Sequence, residues 1–322
     1  MPQARGTQTA FALYPESVYG TDPGTPSGQK LHLVSFGLQS NQALLDSNTL
    51  TAKRDRVRPI AGNLAVAGPM VLELSAQSQG TLLWNAMGAN TTEGAGPYTH
   101  TLTLGDLPVS MLLEKDHGAN ITGVGRFERF NGCRIASVGF DFANEGFQTA
   151  NFQLTGSKSV LAAAALSATP EDNGHTSFSA FEGSIIEGGA PIATVTSASI
   201  NLDNELDDSV YTVGGLGVRR ALPEGFATVS GTLTALFEDT SLLMKAINST
   251  QSSLVITLSR GTGLGDAGNE SMSFSANQLL YERSSPPIEG PRGLLLTQPF
   301  KAFRVADSSA FTIVIKNAVA VL

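Results

Sequence analysis

The sequence is poor in the residues that carry out chemistry. It has one cysteine, Cys133, in 322 residues, so no disulfide can close within the chain and a reducing site of folding fits. The four histidines, His32, His100, His117 and His175, are far apart, so no local ligand pair exists for a metal. One Trp and five Tyr are thin provision for a surface that stacks sugars, and Trp84 falls on the apolar face of a short helical segment, where it reads as core. Charged residues make up only 15%, and the net charge is −8. An acidic chain without Lys/Arg clusters is a poor candidate for gripping a phosphate backbone. No run of 18 apolar residues occurs, so no helical membrane span is expected. The opening MPQARGTQTAFALYPESVYG has neither the apolar stretch nor the cleavage pattern of a secretory signal.

Catalytic motifs are equally scarce. There is no Gly-X-Ser-X-Gly nucleophile elbow. Gly261, Gly263 and Gly265 lack the Lys-Ser/Thr of a phosphate loop and read as a turn between strands. Asp203, Glu205 and Asp207 alternate as calcium ligands could, but the sixth position is not Gly and the twelfth is not Glu, so this is a solvated loop. No catalytic, cofactor-binding or metal-binding residue is expected, and the chain reads as no enzyme.

What is plentiful is Gly, at 34 residues, together with Val, Thr, Ser, Leu and Phe. That composition favours strands joined by many turns. Apolar residues alternate over 64–74 and 227–237, the period of a half-buried strand. Each is preceded by a strand (31–38, 192–202) and a long loop (39–62, 203–225). Each is followed by a short helix. Ser75 can cap the first, which Gly88 ends, and Asp239 the second. RPIAGNLAVAG at 58–68 and RALPEGFATVSG at 220–231 are near-repeats, and the offset between the two sets of elements holds at 160 to 163. Further strands are expected over 132–156, as a hairpin turning near Asn144-Glu145-Gly146, and over 271–282 and 309–317. The expected organisation is an arm over 1–30, a domain over 31–158, a small-residue linker over 159–177 and a second domain over 178–322.

The segments GTQTAFALYPESVYGTDP, VSGTLTALFEDTSLLMKAIN and GCRIASVGFDFANEGFQTANFQLTG resemble tail tube proteins of long-tailed bacteriophages, of the larger type with a duplicated tube domain. The resemblance spans nearly the whole chain through loose patterns of small and apolar residues. It implies a mainly β fold: two tandem tail-tube-type β-sandwich domains, each with a short flanking α-helix. It implies a structural virion protein whose three copies form a ring of pseudo-sixfold symmetry. Rings would stack into a tube, assembled in the host cytoplasm, that conducts DNA during ejection without binding it specifically. The implied partners are further copies of the chain and the tail terminator, tape-measure and tail-tip proteins, with no cofactor and no membrane.

In such proteins the long loop reaches the adjacent ring. Here that loop maps to 39–62 and 203–225. Opposite charges in the two loops make Lys53, Arg54, Arg56, Arg58, Asp203, Glu205, Asp207, Asp208, Arg219 and Arg220 the ring-stacking candidates. Residues 1–160 hold 11 basic and 12 acidic side chains and residues 161–322 hold 9 and 16, so acid in the second half would suit a channel wall that repels phosphate. The competing reading is a carbohydrate-binding or adhesin-type β-sandwich pair, which would need exposed aromatics.

Overall fold

The structure, a computed structural model, describes residues 3–24, 27–288, 290–291 and 293–321. Thr25 and Pro26 of the TDPGTPSG segment and Glu289 and Arg292 of SSPPIEGPRG lie outside the described residues.

The first half carries β1 (Ala10–Glu16), β2 (Gln29–Leu31), β3 (Ser35–Phe36), β4 (Gln39–Leu45), β5 (Ile60–Glu73), α1 (Gly80–Met87), β6 (Gly88–Glu93), β7 (Tyr98–Leu104), β8 (Ser110–Asp116), β9 (Phe127–Ala143), β10 (Thr149–Gly156) and β11 (Lys158–Ala162). The second carries β12 (Gly183–Glu187), β13 (Ala190–Pro191), β14 (Val195–Asp203), β15 (Thr228–Leu236), α2 (Ser241–Ile247), β16 (Ser252–Ser259), β17 (Ser271–Tyr281), β18 (Leu295–Ala302) and β19 (Phe311–Asn317). The fold is mainly β, as the sequence predicts, and every named strand pairs antiparallel.

The pairing scheme of the first half recurs in the second. In the first, β2 pairs β1, β1 pairs β8, β8 pairs the N-terminal part of β9, and β11 takes the other edge of β9. In the second, β13 pairs β12, β12 pairs β16, β16 pairs β17, and β19 takes the other edge of β17. The opposing layer runs β4–β5–β10–β9 in the first half and β14–β15–β18–β17 in the second. The close approach of the paired strands is matched by one glycine in each half. A Cβ on Gly68 would run into the carbonyl oxygen of Gly37, and a Cβ on Gly231 into that of Ser199.

Alternation decides what is buried. Val66, Met70 and Leu72 of β5 and Val229, Leu233 and Ala235 of β15 point inward from strands of period two. Leu82, Leu83, Ala86 and Met87 recur at helical spacing on α1 and are buried against the same core. The core is continuous between the halves: the Phe140 ring meets Phe274 at 4.8 Å and Phe311 at 6.2 Å between centroids.

The elements differ from the sequence reading in several places. The strand expected over 31–38 is broken into the end of β2, which pairs with β1, and β3, which pairs with β5, and β12, β16 and β18 have no counterpart in that reading. Residues 10–16, expected within an arm, form β1, whose Leu13 and Tyr14 are fully buried; both faces of this strand are covered, which erases the alternation that would have marked it. Residues 39–45, expected as loop, form β4; its side chains are almost all exposed, so no apolar period exists to read. Residues 158–162, at the start of the expected linker, form β11 on β9. Ser75 does not cap α1: the N-cap is Gln79, and the Ser75 hydroxyl accepts the backbone N–H groups of Gln77 and Thr176 instead. At the second helix the N-cap is Thr240, and Asp239, one residue earlier, accepts the backbone N–H of Ser241 at 2.7 Å. The 35-residue stretch from Thr91 is longer than its counterpart in the second half: besides β8, the equivalent of β16, it holds the rest of a hairpin of β6 and β7 that lays β7 along β19.

Candidate functional site

Seven residues of β9, Ser137–Ala143, pair antiparallel with Ser197–Asp203 of β14. This ladder joins the two halves, so that β4–β5–β10–β9–β14–β15–β18 run as one antiparallel sheet. One face of that sheet packs on the core. The other is open and carries the alternate positions, among them Asn151 and Gln153 on β10, Ser137 and Asp141 on β9, Ser199 and Asn201 on β14, Thr232 and Thr234 on β15 and Thr297 on β18. Most of these are hydroxyls and amides; the same face also carries the apolar Ala67, Pro69 and Val71 of β5, Leu236 of β15 and Leu295 of β18, and the exposed Lys301 of β18. Cross-strand bonds tie them together: Ser199 to Thr232 at 2.9 Å and Thr234 to Thr297 at 3.0 Å between side-chain oxygens. Asp141, and Asp203 at the end of β14, are the acids on this stretch of β9 and β14.

The two long loops leave the same sheet. Loop 204–227 folds onto the first half. Arg219 is 4% exposed. Its Nη1 donates to the carbonyls of Val66 at 3.1 Å and Gly156 at 2.8 Å, its Nε donates to Asp208 O, and its Nη2 pairs with the Asp208 carboxylate at 3.2 Å. A planar guanidinium with five N–H donors suits a site of several converging carbonyls. Tyr211 donates its hydroxyl to Leu64 O, and the Arg219 guanidinium lies 5.6 Å from its ring centroid. Asn204 donates to Ala86 O and Ile135 O, and Glu224 pairs with Arg134 of β9.

Loop 46–59 has no such seat. Arg56 pairs with Asp46, but its side chain is 65% exposed. Lys53, Arg54 and Arg58 are exposed with no ion-pair partner among the described residues. So are Asp203, Glu205, Asp207 and Arg220. Asp207 accepts the Ser209 hydroxyl and backbone N–H, which hold its carboxyl below the ordinary aspartate value. Of the stacking candidates, then, the fold brings together Asp208 and Arg219. The remaining candidates do not meet one another within the chain.

Sequence reasoning overlooked Asp46, Asn204, Tyr211 and Glu224 in these loops, and the apolar tips, where Leu50, Val213 and Leu216 are each more than nine-tenths exposed. The signal for Asp46 was present: the offsets that align the strands also align the charges.

Other clusters are structural. His32 and His175 stack at 5.2 Å beside Asp172, whose carboxyl is held well below the usual range by the Lys30 ammonium and the His32 ring. Burial pushes the Cys133 thiol far up and keeps it un-ionised. Among the described residues no three His, Cys, Asp or Glu are grouped to hold a metal ion, and no helix is long and apolar enough to cross a membrane.

A β-sandwich protein whose two halves share one continuous sheet, with an open polar face flanked by long loops, is built as an architectural part. The family comparison makes that specific: the chain belongs to the phage tail tube protein family, whose description matches residues 6–302. It is therefore a structural component of the virion tail. No curated protein matches the sequence.

Proposed function

We propose that the two halves are an internal duplication of one tube domain, and that three chains close into a homotrimeric ring of pseudo-sixfold symmetry. The observation that carries this reading is the seven-residue ladder between β9 and β14. Within the chain it joins the sheet of one half to that of the other, and the ring reading repeats that join from chain to chain. β3 and the start of β4, together the counterpart of β14, have their outer edge free of any partner strand among the described residues. A free sheet edge is a template for pairing, and a closed ring uses it up. Rings then stack head to tail into the tail tube. The charged loop residues Lys53, Arg54, Arg58, Asp203, Glu205, Asp207 and Arg220, with the apolar tips at Leu50 and Val213, supply that contact, while Arg56, Asp208 and Arg219 are already in ion pairs.

The open face of the joined sheet lines the channel. Its hydroxyls and amides offer DNA little cationic hold, since the Lys301 ammonium on this face lies 3.5 Å from the Glu282 carboxylate, and Asp141 and Asp203 repel phosphate, so the genome slides through on ejection without specific binding. Assembly takes place in the host cytoplasm, and the tube's partners are the tail terminator, tape-measure and tail-tip proteins. Electron microscopy of the purified full chain tests this: rings of three chains with a central hole are expected, alone or stacked. Compact monomers at every concentration would overturn it.

A further inference from the structure

The two long loops are related by the same offsets as the strands that bear them. Phe36 faces Met70 and Ala198 faces Leu233, so β3 maps to β14 by 162 residues and β5 to β15 by 163. Carried into the loops, the first offset takes Asp46 to Asp208 and the second takes Arg56 to Arg219. Both are ion pairs of the same kind, guanidinium Nη to carboxylate Oδ2. Gln42 likewise stands where Asn204 stands, an amide for an amide.

What differs is the surroundings. Arg219 has the first half beneath it and donates to Val66 O and Gly156 O. Val66 faces Gly156 across β5 and β10; in the second half Val229 faces Ala302 across β15 and β18. The carbonyls of Val229 and Ala302 are thus the equivalents of the Arg219 seat. Phe226, 88% exposed, flanks them at the position that Asn63 holds in the first half.

We propose that Arg56, held by Asp46, seats across the Val229 and Ala302 carbonyls of a second copy of this chain. The stem of the first-half loop would then clamp its neighbour within one ring, as the stem of the second-half loop clamps the first half of its own chain. This rests on the ring reading above and adds to it the residue that locks chain to chain.

The chain-to-chain seam has a reason to need such a lock. The residues that correspond to Ser137–Phe142 of β9 are Arg283–Ile288, and they include Pro286 and Pro287. Successive N–H groups of a strand point to opposite edges, so one of two adjacent prolines necessarily removes a donor from the outer edge. The ladder that joins the halves within the chain cannot form in full between chains, and the loop contact has more to hold.

The test uses the full chain with two readouts. Sedimentation measures the chain-to-chain dissociation constant of wild type, Arg56→Met and Arg56→Lys. Arg56→Met is expected to raise it about tenfold or more, the scale of a charge-assisted hydrogen bond, with Arg56→Lys between, and with no change in the melting of the isolated chain. A photo-crosslinking residue in place of Asp55 is expected to react with 226–230 or 300–304 of a differently isotope-labelled copy. Trimers of unchanged affinity in Arg56→Met, or crosslinks to loop 203–225 of an adjacent ring, would overturn the clamp while leaving the ring intact. A wild-type chain that never associates would overturn both readings.

Discussion

Arg219 and Arg56 occupy matching places in two matching loops, yet one is buried under carbonyls and the other stands in solvent. The side chains are the same and so are their aspartate partners. The difference is what lies alongside: the second half finds a sheet next to it in its own chain, and the first half does not. A contact already satisfied inside the chain thereby describes one that is still open outside it. The same contrast runs through the helices. All of α1 except Trp84 is buried, beneath the β6–β7 hairpin and the Asn204 amide, while Met244 and Ile247 of α2 are more than two-fifths exposed.

The comparison fails most visibly if the two halves are not one cooperative body. Phe140 belongs to the first half and its ring packs on Phe274 and Phe311 of the second. Phe140→Ala removes a fully buried ring from that junction and should cost about 4 kcal/mol. Urea denaturation followed by tryptophan fluorescence and circular dichroism should show one shifted transition by both probes. Two separated transitions would mean that the halves fold independently and that the shared core is not what unites them. The arginines come next in size. Arg219→Met leaves the Val66 and Gly156 carbonyls without their cation and should cost about 3 kcal/mol. Arg56→Met should leave the midpoint of the isolated chain where it was. Equal losses at both positions would show that the two loops are not in different states.

How much of this was legible beforehand depends on the face that each element shows. β5 and β15 each put one apolar face on the core, and α1, although buried nearly all round, sets Leu82, Leu83, Ala86 and Met87 at helical spacing, so their periods mark them. β1 is buried on both faces and β4 on almost none, so neither has a period, although β4 is the strand whose outer edge the ring reading needs. The stacking candidates rest on charge within the two matching loops, and charge cannot tell a solvated arginine from Arg219. Burial there comes from Val66 and Gly156, more than sixty residues away or further in the sequence. The internal offset was the better guide. It places Gly68 on Gly231 and, carried past the strands into the loops, places Asp46 on Asp208 and Arg56 on the buried Arg219.

The smallest expected effect concerns pH and the segment that joins the halves. His175 sits in that segment with its Nδ1 bonded to Ser78 Oγ at 2.9 Å and its Nε2 to Ser177 Oγ at 3.1 Å. Burial, with the stacked His32 ring adding to it, lowers its pKa below the ordinary 6.5. A histidine whose folded pKa is depressed is held neutral by the fold. As pH falls below 6.5 the unfolded chain takes up the proton first, so stability declines from there until the folded pKa is reached and then levels. Asp172 acts in the same direction but lower down, since Lys30 and His32 hold its carboxyl below the unfolded value of 3.8 and the benefit is lost as pH drops through that range. The two windows are separate, so His175→Gln should flatten the stability profile just below pH 6.5 while leaving the steeper acid limb in place. The midpoint of urea unfolding measured across that interval decides it. An unaltered slope in the variant would mean that His175 is already as easily protonated in the folded chain as in the unfolded one, and that the join between the halves is no more sensitive to acid than either half.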